Sequence, residues 1–175
     1  MSRADDHSPL PGFGLDEERV ALLVDRLRQR GETVAAAESL TAGLVTGLLT
    51  SVPGASAVVR GGLVVYGTDL KGTLAGVDTA VLDEHGPVHP EVARRLGEGA
   101  RRRCGADWGL GLTGVAGPDP QNGVPPGVVH VAVAGADEVT VRTLRLSCSR
   151  HGVRAAAVRA ALDTLGAALD RAPPA

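Results

Sequence analysis

Three short segments of this sequence carry side chains whose types and spacing suit chemistry on a small polar molecule. The first is Glu38-Ser39-Leu40-Thr41-Ala42-Gly43, which follows an apolar run and precedes a helical pattern. A serine there stands at a strand-to-helix turn, beside N–H groups that have no intrahelical partner and that favour an oxyanion or a phosphate. The competing reading is that Ser39 or Thr41 simply caps the helix. The second segment is Tyr66-Gly67-Thr68-Asp69-Leu70-Lys71. In a turn or helix that opens after Tyr66, a lysine five residues on swings back toward the same strand end, and both side chains face one cleft. Lysine ordinarily titrates near ~10.4 and becomes a base only where burial or nearby positive charge lowers that value. A core tyrosine and a surface lysine are the plain alternative. The third segment runs from Leu112-Thr113-Gly114-Val115-Ala116-Gly117-Pro118 through a Pro- and Gly-rich stretch to Gly127. Glycines after a buried strand let backbone amides approach a ligand closely. No nucleoside-triphosphate loop and no dinucleotide fingerprint is present.

The elements that must position these segments follow from hydrophobic periodicity. Val20, Leu23, Val24 and Leu27 have helical spacing, with Asp16, Glu17 and Glu18 at the favourable end and Gly31 as the stop. Thr33 to Ala37 is a strand, and Leu40, Leu44, Val45, Leu48 and Leu49 predict a helix that Pro53 interrupts. Val58 to Tyr66 is a second strand leading into a short helix with Lys71 and Leu74. Further helices are expected at Thr79 to Glu84 and at Pro90 to Cys104, the latter opened by a proline whose missing N–H costs nothing there. Trp108 to Thr113, Val128 to Val133 and Val139 to Leu146 are strands, and a last helix runs from about His151 to Asp170. Strands alternating with helices imply an α/β fold, three-layer α/β/α, with a mixed, mostly parallel sheet. The neighbouring strands near the end imply that one of them runs antiparallel. All three segments leave strand ends, where sites collect in open α/β sheets.

Composition narrows the partners. With 175 residues the chain fits a single domain, expected over 15–171 after a mobile, polar tail at 1–14. Lys and Arg number 18 against 20 for Asp and Glu, so the net charge of -2 gives no general attraction to nucleic acid or to an anionic membrane. Arg101-Arg102-Arg103 reads as a solvated helix face. Cys104 and Cys148 stand far apart with no Cys-x-x-Cys spacing and no nearby His-rich partner, which argues against a zinc site and against a disulfide scaffold. No stretch approaches the ~20 apolar residues of a membrane span and no apolar signal core opens the chain, so a soluble, cytoplasmic protein is expected.

Together the segments resemble the CinA carboxy-terminal family. The likeness rests on Glu38-Ser39 with Thr41 and Gly43, Val52-Pro53-Gly54-Ala55-Ser56, Gly61-Gly62, Tyr66 with Lys71, and Thr113-Gly114-Val115-Ala116-Gly117-Pro118. The resemblance implies an amidohydrolase without metal or cofactor that converts nicotinamide mononucleotide to nicotinic acid mononucleotide and ammonia. It implies Ser39 as nucleophile, with Lys71 taking the proton directly or through the Tyr66 hydroxyl. Backbone N–H groups of the helix after Ser39 would hold the oxyanion. Thr41, Ala42, Gly43, Thr113, Gly114 and Gly117 would contact substrate, and Arg150 would pair with its phosphate unless it is a surface arginine at a helix start.

Several positions depart from the family pattern. Leu40 and Ala42 stand where cysteine and glycine are usual, Gly67, Thr68 and Leu70 replace a common Ser-Asn-x-Ala, and His89 takes the place of a serine. His89, just before Pro90, reads as a helix cap rather than a base. Full-length relatives often carry an extra amino-terminal pyrophosphatase-like domain, which this sequence is expected to lack, and related domains associate, so a homo-oligomer is a further expectation. Two other functions fit the same residues: a non-catalytic nucleotide-binding module linked to competence or DNA damage, and an amidase acting on another small amide.

Overall fold

The computed structural model describes residues 17–172, and the expected tail at 1–14 lies outside them. Helix α1 (Glu17–Arg30) buries Val20, Leu23, Val24 and Leu27, with acids in its first turn and arginines in its last, each set against the opposite end of the helix dipole. Strand β1 (Val34–Glu38), helix α2 (Leu44–Thr50), a 3-10 turn (Ala55–Ala57) and strand β2 (Val59–Val64) follow. Next come the short helices α3 (Thr68–Thr73) and α4 (Thr79–His85) and the longer α5 (Pro90–Cys104). The chain finishes with β3 (Trp108–Gly114), β4 (Val128–Ala134), β5 (Val139–Arg145) and α6 (Arg150–Arg171).

The five strands form one sheet in the order β2-β1-β3-β4-β5. β1 pairs in parallel with β2 and β3, whereas β4 is antiparallel to both β3 and β5. β4 alone therefore runs against the other four strands, as the sequence led one to expect. The reason is local: the connection from β3 to β4 contains no helix, and a return without a crossover helix reverses direction.

Alternation along β1 splits the core into two layers. Val34 and Ala36 pack with α1, α2 and α6, while Ala35 and Ala37 pack with α5 and the segments around Val65 and Val77. α5 lies unusually close to β3, because Gly109 and Gly111 present no side chain to it. A Cβ at Gly111 would overlap the Ala93 carbonyl and the Gly97 amide, and one at Gly109 would overlap the Gly97 carbonyl. Leu110 and Leu112 alternate with these glycines and are fully buried on the opposite face, each worth ~2 kcal/mol of burial. Among the described residues no helix is long and apolar enough to cross a membrane.

One boundary differs from the sequence reading. α2 opens at Leu44 rather than Leu40, and residues 39–43 form a turn. The backbone explains it, since Ala42 (φ 49°) and Gly43 (φ 94°) both adopt left-handed conformations that no right-handed helix accommodates.

Candidate active site

Parallel pairing brings the ends of β1, β2 and β3 to one edge. The Ser39 N–H donates to Leu112 O (3.1 Å), and the Val65 N–H donates to Glu38 O (2.8 Å), so the three strand ends are tied side by side. α3 then turns Lys71 back beneath this edge. The Lys71 side chain is only 2% exposed, and its Nζ donates to Ser39 Oγ (3.1 Å) and to Val65 O (2.9 Å). Burial disfavours the charged ammonium and pulls its pKa down to about 8, against the opposing charge of Asp69. An amine brought within a unit of neutral pH and already touching a buried hydroxyl has the chemistry to accept that hydroxyl's proton.

Tyr66 does not join this pair. It is 58% exposed, and its hydroxyl accepts from Arg150 Nη2 (3.1 Å), while Arg150 Nη1 donates to Gly117 O (2.7 Å). Arg150 thereby links the β2 end to the loop after β3 across the mouth of a small pocket. That pocket, of about 130 Å³, is lined by Ser39, Leu40 and Tyr66 on one side and by residues 114–117 with Arg150 on the other. Gly114 and Gly117 are thus at the pocket. Thr113 is fully buried with its hydroxyl turned to Pro87 O (2.7 Å), so its side chain braces the loop before α5. His89 caps α5 by accepting from the Glu91 N–H at Nδ1 (3.2 Å), as its position before Pro90 suggested.

The start of α2 is organised by a residue that the sequence reading quoted but gave no role. The fully buried Glu38 carboxylate accepts from the amides of Gly43 (3.0 Å), Val45 (3.1 Å) and Thr46 (2.9 Å), and from Thr46 Oγ1 (2.8 Å). Neither Ser39 nor Thr41 caps the helix. The amides expected to hold an oxyanion at the helix start are therefore occupied, and a carboxylate at that end repels a second anion. The Thr41 hydroxyl is buried and, among the described residues, has no partner. Ala42 is exposed, and Gly43 is the left-handed residue preceding the helix.

A family model described as the CinA C-terminal domain matches residues 16–169. The chain belongs to this family. It is 45% identical over 150 residues to a CinA-like protein of Frankia casuarinae, a match covering 86% of this chain and 35% of that protein. A CinA-like protein of an Anaeromyxobacter species is 47% identical over 156 residues, covering 87% of this chain and 38% of the relative. The chain thus spans about a third of the length of these curated relatives. Among solved structures, the competence/damage inducible protein of Agrobacterium tumefaciens superposes with a TM-score of 0.84 at 35% identity, over 89% of this chain and 95% of that one. A CinA superfamily protein of Klebsiella pneumoniae gives 0.86 at 26% identity, over 89% and 98%.

Within this CinA domain, then, Ser39 and Lys71 meet, Gly114, Gly117 and Arg150 line the same pocket, and Tyr66 stands at its rim bound to Arg150. Two residues were given no role in the sequence reading. Glu38 precedes Ser39, and a carboxylate at a strand end facing a helix start is a signal that residue type and place do provide. Arg154, one turn after Arg150, donates to Leu40 O (2.9 Å) and Thr41 O (3.2 Å), and nothing in its sequence neighbourhood points to a loop more than a hundred residues away.

Proposed function

We propose that the chain is a serine amidase acting on the carboxamide of nicotinamide mononucleotide, with nicotinic acid mononucleotide and ammonia as products. The observation that carries this reading is the buried Lys71 amine 3.1 Å from the Ser39 hydroxyl. As the Ser39 oxygen attacks the carboxamide carbon, its proton passes to Lys71 Nζ and the carbonyl oxygen becomes an oxyanion. The C–N bond then breaks, Lys71 returns the proton to the departing nitrogen, and ammonia leaves an ester on Ser39. Water attacks that ester, Lys71 takes and returns a proton in the same way, and the carboxylate product departs from a restored serine.

The electrostatics support the assignment of Lys71. With a pKa of about 8, roughly one-tenth of the amine is free at pH 7, against a few molecules in ten thousand for a solvated lysine. The pocket's about 130 Å³ falls below the roughly 300 Å³ of typical whole-ligand sites, so it suits the amide-bearing end of a nucleotide whose remainder crosses the rim. Among the described residues, Arg150 at that rim donates to a phenol oxygen and a carbonyl. A phosphate competes well for it, because a charge-assisted, bidentate guanidinium contact is stronger than either. The phosphate then takes the place of Tyr66 on Arg150.

The test is ammonia release from nicotinamide mononucleotide by the chain and by Ser39→Ala. Release by the first and none by the second is the expected result. Release unaffected by the substitution removes Ser39 from its role, and nucleotide binding without ammonia favours a non-catalytic module.

A further inference from the structure

With the start of α2 closed by Glu38, the oxyanion that an amidase requires needs other donors. We propose that Arg154 is a positioning residue that orients the peptides after Ser39, so that the N–H groups of Leu40 and Thr41 form the oxyanion site. The inference rests on the amidase reading of Ser39. Every amide from 42 to 47 is already engaged: Ala42 donates to Ser39 O (3.1 Å), Leu44 to Thr41 O (3.2 Å) and Gly47 to Gly43 O (2.8 Å), while Gly43, Val45 and Thr46 donate to Glu38. Among the described residues, the amides of Leu40 and Thr41 donate to no other group, although both residues are buried. Buried donors without a protein acceptor are uncommon, and a catalytic role is one setting in which they occur.

Peptide geometry gives these two amides a direction. In a planar trans peptide the C=O and the following N–H point opposite ways. Arg154, projecting from α6, draws the Leu40 carbonyl onto its Nε and the Thr41 carbonyl onto its Nη2. The Thr41 N–H, which shares its peptide with the Leu40 carbonyl, is thereby turned away from α6. The Ser39 carbonyl is turned in toward the Ala42 amide, and the Leu40 N–H points the other way, with Leu40 lining the pocket beside Ser39. A guanidinium on the carbonyl side also polarises the peptide and strengthens its N–H as a donor. The N–H of the residue after a nucleophilic serine serves this purpose in unrelated hydrolases, for the same geometric reason.

The test labels Ser39 with a fluorophosphonate, which loses fluoride to form a tetrahedral phosphyl ester with its P=O in the oxyanion position, and so reads the site without a substrate. Arg154→Met keeps the apolar stem and removes both donors, and Arg154→Lys keeps the charge with poorer geometry. Losing one oxyanion donor costs about a hundredfold in other serine hydrolases, so labelling of Arg154→Met slows by ~10- to 100-fold, with Arg154→Lys between it and the native chain. The pH midpoint of labelling stays where Lys71 sets it, near 8. Labelling at the native rate, or at an undiminished plateau with a displaced midpoint, overturns the inference. A measurement on the native chain needs no variant: on labelling, the amide resonances of Leu40 and Thr41 shift downfield while those of Gly43, Val45 and Thr46 stay. Shifts confined to the latter three overturn the inference. If the native chain is not labelled at Ser39 at all, the amidase reading fails and takes the inference with it.

Discussion

The two ends of the sheet offer contrasting clefts. At the carboxyl ends of the parallel strands lies the pocket of about 130 Å³ that holds Ser39. At the opposite end, between the β4–β5 turn and the end of α6, a cleft of about 480 Å³ is lined by Trp108, Val133, Ala168 and several charged residues. By size the second is the better ligand site, yet two of its carboxylates, Glu32 and Asp107, are already held by neighbouring donors. Glu32 accepts from Arg30 Nε (2.8 Å) and Nη2 (2.9 Å) and from Trp108 Nε1 (2.8 Å), and the Arg30 guanidinium holds the Glu32 carboxyl below its usual range. Asp107 accepts from both the Thr33 amide and its hydroxyl at 2.7 Å. The loop that brings Ser39 to the small pocket has the opposite character: a desolvated amine on the Ser39 hydroxyl, a Thr41 hydroxyl with no partner among the described residues, and Ala42 at φ 49°. Groups left unsatisfied or strained retain capacity to bind and react, whereas closed ion pairs hold the fold together.

Substitutions at the two ends should separate by orders of magnitude. Lys71→Met removes the amine while keeping the length of the side chain, and on the proposed amidase reading kcat for ammonia release is expected to fall by ~1,000-fold, within the range for losing a general base. Trp108→Phe at the other end gives up the bond to Glu32 and should lower the melting temperature by a few degrees, corresponding to about 1 kcal/mol, with kcat unchanged. Comparable kinetic losses from both variants would erase the contrast.

The pH profile sharpens it. On the proposed amidase reading the free amine is the active form, so log kcat/KM should rise with unit slope below about 8 and level off above. Asp69 raises the Lys71 pKa, and Asp69→Asn should therefore move the midpoint to lower pH, whereas Glu32→Gln in the large cleft should leave it in place. A midpoint near that of a solvated lysine would show the amine to be wet. Arg150→Gln is expected to act chiefly on binding, raising KM for the nucleotide by ~10-fold or more with a smaller change in kcat, since a hydrogen bond to a charged group contributes ~1.5–3 kcal/mol. The smallest effect belongs to Ala42→Gly. Relief of a left-handed alanine exceeds the added chain entropy of glycine slightly, and urea unfolding should show a gain of up to about 1 kcal/mol.

Much of the architecture was legible in residue patterns. The burial stripe of α1, the alternation in β1 and the helix-free return that reverses β4 depend on near neighbours, and each was readable from period and punctuation. So were Ser39 and Lys71, because the ends of two parallel strands and a short helix leave few places for side chains so near them to go. The opening of α2 was misplaced because Leu40 continues the apolar period, while the left-handed pair at Ala42 and Gly43 shows only in the backbone. Spacing put Tyr66 in one cleft with Lys71, and the family resemblance gave it a share in the proton transfer. Its actual partner, Arg150, is 84 residues distant, and no local pattern encodes that contact.

Residue order by itself determined that a hydroxyl and an amine lie at adjoining strand ends of an α/β sheet, since strand period, glycine breaks and helix length are short-range properties. Tertiary structure alone decided that the amine is dry enough to titrate near 8, that Glu38 closes the helix start to anions, and that Arg154 reaches the loop after Ser39. Desolvation and peptide orientation arise from the summed field and packing of distant elements, and those come into being only when the sheet and its helices assemble.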